Sequence, residues 1–140
     1  MSLSASVYRK QSLTTAERAE VVKVDLHSGQ PLIGDCLSQP VRAFLAAEIF
    51  IGNLSTVAEF RGVLEQSAPT QSEVIRALIL RNGTESGNAI GREHVLAIAA
   101  ECSNILSHVT LRSSPVETFL SELANLAAIA IAEDSPIALI

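Results

Sequence analysis

Tryptophan is missing from this sequence, and aromatic residues as a class reach only 4%, as Tyr8, Phe44, Phe50, Phe60 and Phe119. A core built by this chain must therefore be aliphatic, and no run of aromatics offers a stacking platform for bases. Charge is also scarce, at 18% of residues, where an average soluble domain carries about 25%. Combined with 48% hydrophobic residues, this excludes a disordered chain and suggests that some apolar surface is covered by another chain. Basic residues are the rarer sign, ten Lys and Arg against 15 Asp and Glu, for a net charge of −5. Apart from Arg9-Lys10 they are scattered singly, so no basic stripe points to nucleic acid as a partner.

Other absences narrow the choice further. The two cysteines, Cys36 and Cys102, form neither a disulfide framework nor a CxxC pair, and read as small buried hydrophobes. The glycines at 83, 87 and 91 match neither G-x-G-x-x-G nor a G-K-[ST] ending, so they mark a linker and not a phosphate cradle. Uninterrupted apolar runs fall short of the ~20 residues that span a bilayer, and the opening residues lack a secretory apolar region. We therefore expect no membrane span and a cytoplasmic location.

What the sequence does contain is a set of helix signals. Thr14-x-x-Glu17, Thr56-x-x-Glu59, Thr70-x-x-Glu73 and Ser114-x-x-Glu117 have the capping-box form, and Pro40 and Pro115 suit a first helical turn. Apolar spacing then predicts helices over about 15–21, 40–51, 57–66, 71–81, 93–109 and 116–132. The seam Val95, Ile98, Cys102, Ile105 and Val109 suits antiparallel packing, against a stripe of Val116, Phe119, Leu120, Leu123, Leu126, Ala127 and Ala130. Between Val22 and Leu26 the pattern turns to period two, which allows a short β-hairpin near residues 20–34 or a continuation of the first helix. The expected fold is mainly α, one helical bundle of five to six helices over 13–140. Residues 1–12 are read as a flexible N-terminus, and the loop at 82–91 as a separator of two helical groups.

Chemistry-bearing residues are few. Asp25-x-His27, then Gly34-Asp35, then Gly52-Asn53 look like fragments of the metallophosphoesterase pattern. Gly34-Asp35 comes too soon after His27 for an intervening crossover helix, and Leu54 stands where that pattern has His. A small metal-dependent hydrolase using Asp25, His27 and Asp35 is accordingly the second reading. His94, Glu101 and His108 share a helix face, but steps of seven rise about 10.5 Å each, too far for one ion with ligands near 2 Å.

No catalytic, cofactor or metal site is assigned. Residues 113–140 contain Glu117, Glu122, Glu133 and Asp134 and no Lys or Arg. Their apolar remainder exceeds what one helix stripe buries. The function expected first is therefore a non-enzymatic interaction or assembly module, a homo-oligomer or a binder of another protein. Its expected contact residues are Ile129, Ile131, Ile137, Leu139 and Ile140.

Overall fold

The computed structural model describes residues 2–33, 41–81 and 88–140. Its architecture is mixed α/β, which corrects the expected helical bundle. Five α-helices accompany a four-stranded antiparallel sheet and a two-stranded hairpin among the described residues.

The sheet is built from β1 (Ser2–Tyr8), β4 (Leu45–Asn53), β5 (Ala89–Ile90) and β6 (Ile137–Leu139), in the order β4-β1-β6-β5. β1 replaces the flexible N-terminus. Leu3, Ala5 and Val7 alternate with serines and are buried in the main core, the period-two pattern of a strand with one face on a core. β6 replaces the apolar tail. It lies between β1 and β5, pairing Ala5 with Leu139 and Ile90 with Ile137. β4 replaces the predicted helix at 40–51, of whose described residues only Val41–Phe44 are helical, as a 3-10 turn. In β4, Ala47 and Ile49 pack against the core while Glu48 and Phe50 face outward. Gly52, with φ of 140°, turns the chain from β4 into the next helix. A Cβ there would meet the Thr56 side chain at 2.7 Å.

The helices are α1 (Thr15–Glu20), α2 (Leu54–Ser67), α3 (Glu73–Leu78), α4 (Arg92–His108) and α5 (Ser114–Glu133). Of the four capping boxes, only Thr14/Glu17 forms. α2 is capped by Asn53 and α5 by Ser113, each a residue or more before the position expected from its box. α4 and α5 pack along the predicted seam, with Val95, Ile98, Cys102 and Ile105 buried, together with the whole Val116-to-Ala130 stripe. α5 also lies over β1 and β4. By length and composition α5 could cross a bilayer, with 20 residues and a hydropathy of 1.3. Counting unbroken apolar runs overlooks it because Glu122 and Asn125 interrupt the run.

The hairpin signal near residues 20–34 corresponds to β2 (Val21–Val24) and β3 (Pro31–Ile33). It covers one end of the sheet's second face through a small cluster of Tyr8, Leu13, Phe44 and Ala138 joined by Val21 and Ile33. Two acids pin the segment before it. The Arg9 guanidinium bridges both Glu17 oxygens at 2.9 Å. The buried Glu133 carboxylate accepts the Lys10 and Ser12 backbone N–H groups at 2.8 and 2.9 Å.

Candidate functional site

The residues expected to meet a partner are mostly used inside the chain. Ile137 and Leu139 are buried in the sheet, at 0% and 1% exposure. Ile129 and Ile131 are half-buried and packed against the main core. Ile140 keeps an exposed side chain, but its backbone is bonded to Ser4. The apolar excess at the end of the sequence is therefore largely absorbed by β6 and α5.

The polar candidates also have local roles. Asp25 opens the turn of the β2–β3 hairpin, where its Oδ1 accepts the His27 N–H at 2.9 Å. That bond, ahead of the hydrogen bonds from Ser28, holds the Asp25 carboxyl below its ordinary range. Asp35 and Cys36 lie outside the described residues. His94 and His108 stand exposed on α4, and no group of three potential metal ligands occurs among the described residues.

Glu101, from the same helix face, reaches α3 instead. Its two oxygens accept the Val74 and Ile75 N–H groups at 3.0 and 2.9 Å. Ser72, the N-cap of α3, makes no side-chain cap bond and donates its hydroxyl to Ala68 O, so a carboxylate from α4 satisfies the free first-turn N–H groups. Glu101→Ala should lower the unfolding free energy by about 1–2 kcal/mol, measured by urea denaturation, with Glu101→Gln intermediate. Cys102 is buried, and burial first, then the Glu101 charge, pushes its thiol up to about 12. A thiol in that state is not a nucleophile at neutral pH.

The accessible feature is the outer edge of β4. Ser4 donates its N–H to Ile140 O at 2.8 Å and accepts the Ile140 N–H at 2.9 Å, so both its backbone groups turn toward β6. Ser4 stands opposite Phe50 in the β1–β4 pair. This pair is therefore the non-hydrogen-bonded kind, and the Phe50 N–H and C=O point away from β1. The same alternation applies to Glu48, opposite Ser6. Among the described residues nothing pairs with this edge. β4 spans nine residues, includes Glu48 as its sole charged residue and has no Pro, whereas β5 at the opposite edge has two residues. A long apolar edge without lysine or proline is one that natural sheets usually protect.

Beside this edge lie two adjoining hollows that share Phe50 and Glu122. One, of about 420 Å³, is formed by Phe50 and Ile51 against Pro115, Thr118 and Glu122 of α5. The Phe60 and Phe119 rings, 5.2 Å apart, also line it. The other, of about 390 Å³, continues along Glu48 and Ile49 to Asn125. Phe50 is 67% exposed at their junction.

Comparison with protein-family models, curated proteins and solved structures finds no match.

The edge therefore rests on geometry alone. Glu48, Phe50 and Glu122 are not among the contact residues expected from the sequence. The alternation Ala47, Glu48, Ile49, Phe50, with its β-branched and aromatic residues, carries the signal, but the alanines before it favour the helical reading.

Proposed function

We propose that this chain is a non-enzymatic protein-interaction module that receives an extended segment as an added strand along β4. The observation that supports this reading is the outward-facing backbone of Glu48 and Phe50, set beside a groove between β4 and α5. Strand addition draws its affinity from such main-chain groups and its selectivity from alternate side-chain pockets. The proposed contact surface is thus a sheet edge with one exposed phenylalanine, in place of the final helix and tail. Binding of this kind requires no cofactor.

Hydrogen exchange resolved by residue tests it without a known partner. In dilute, monomeric protein the Glu48 and Phe50 amides should exchange fast. The Ala47 and Ile49 amides, turned toward β1, should be protected. If the Glu48 and Phe50 amides of the monomer are as slow as that of Ile49, the edge is already occupied within the chain and the proposal fails.

A further inference from the structure

We infer that the segment received by β4 belongs to a different protein and is cationic, with a basic residue two places from an apolar one. This rests on the strand-addition reading. In an added antiparallel strand, the residues facing Phe50 and Glu48 are two apart and share a face. The first meets an exposed aromatic ring, and the second meets a carboxylate. The residue between them, facing Ile49, turns toward the hollow where Glu122 and Asn125 project from α5. Glu48 and Glu122 make no ion pair with Lys, Arg or His among the described residues. Glu48 accepts the Ser6 hydroxyl at 3.4 Å, and among the described residues no Lys or Arg lines either hollow.

The same charges argue against a second copy as the occupant. Pairing β4 with itself would gather two Glu48 and two Glu122 side chains between bodies that each carry a net charge of −5. Juxtaposed like charges are a standard means of rejecting a wrong partner. A cationic strand removes that repulsion and neutralises both carboxylates at once.

The test uses the full chain and fluorescently labelled peptides, read by anisotropy. One peptide carries Val-Arg-Lys between threonines, a second carries Val-Glu-Glu in the same frame, and a third is the basic peptide N-methylated at the valine. The basic peptide should bind at least about tenfold more tightly than the acidic one. Its affinity should fall with added salt, because exposed charges are screened. Glu48→Lys should erase most of the preference, and N-methylation should abolish binding, because it removes a backbone donor.

Equal binding of the acidic and basic peptides would overturn the charge selection and leave strand addition standing. Undiminished binding of the N-methylated peptide would overturn strand addition and leave only electrostatic attraction. If no peptide binds and light scattering finds a dimer that Phe50→Arg dissociates, the occupant is a second copy and the inference is wrong. If no peptide binds and the chain is a monomer, both readings fall. Phe50 and Glu48 are exposed, so circular dichroism of both variants should match the parent chain.

Discussion

Removal of residues 134–140 should leave a chain that no longer unfolds cooperatively. This deletion spares every helix but takes out β6, the strand between β1 and β5. Ile137 and Leu139 are fully buried, and shortening one such residue to alanine costs about 2–5 kcal/mol. Losing both, together with the reciprocal Ser4–Ile140 bonds and the Leu139 N–H bond to Asn88 O, approaches the ~5–15 kcal/mol that holds a typical domain together. The expected result is a broad urea transition by circular dichroism and rapid proteolysis. A truncated chain that keeps a sharp transition near the parent midpoint would show that β6 is dispensable. This outcome differs from the one the sequence suggests. A tail that only docked on a neighbour could be removed with loss of assembly and no loss of fold.

The second large effect is expected at Glu133. Its Oε1 accepts two backbone N–H groups, from Lys10 and Ser12, at a buried position. Glu133→Ala leaves both donors without their acceptor, at about 2–4 kcal/mol. Glu133→Gln keeps an acceptor oxygen and should lose about half as much.

The acid dependence follows from the same contacts. Burial would raise the Glu133 carboxyl, but the hydrogen bonds from Ser12, Lys10 and Gln11 outweigh it and hold the group below its ordinary value. Glu17 is lowered further, from 4.5 to about 2, chiefly by its bond to Arg9. In both cases the unfolded chain takes up the proton first as pH falls. Their stabilisation is therefore complete above the ordinary carboxylate value and is lost as pH falls through each folded-state value, which for Glu17 is about 2. Urea midpoints measured over that descent in pH should fall steadily for the parent chain and less steeply for Glu133→Ala. A parallel slope for the two would rule out Glu133 as a contributor.

The helical half of the fold was largely legible in the sequence. α4 and α5 announce themselves through long stripes at helical spacing, and the residues named for their seam are buried except Val109, which caps α4 and is half-buried. The sheet was not. β1 reads SLSASVY, in which small residues dilute the alternation of Leu3, Ala5 and Val7, so its strand character depends on partners remote in sequence. β6 has three residues, too few for any period to show. β4 begins with Leu45-Ala46-Ala47-Glu48, four good helix formers that tertiary pairing overrides. The register shifts between β1 and β4 disturb its alternation further.

The candidate edge was hidden for the same reason. Which side of a strand lies open is a property of strand order, and no local pattern encodes it. Glu101 illustrates a milder case. Its position on one helix face was readable, but its caps on the Val74 and Ile75 amides depend on where α3 comes to lie.

The strand order also has a consequence during synthesis. Because Ala5 is paired with Leu139, the centre of the sheet cannot close until nearly the whole described chain has left the ribosome. Until then β1 can pair with β4 but keeps an open side where β6 will lie. Contacts so distant in sequence fold slowly because a long loop must close before they form. The nascent polypeptide would thus spend its elongation with adhesive strands uncovered, a natural client for holding chaperones.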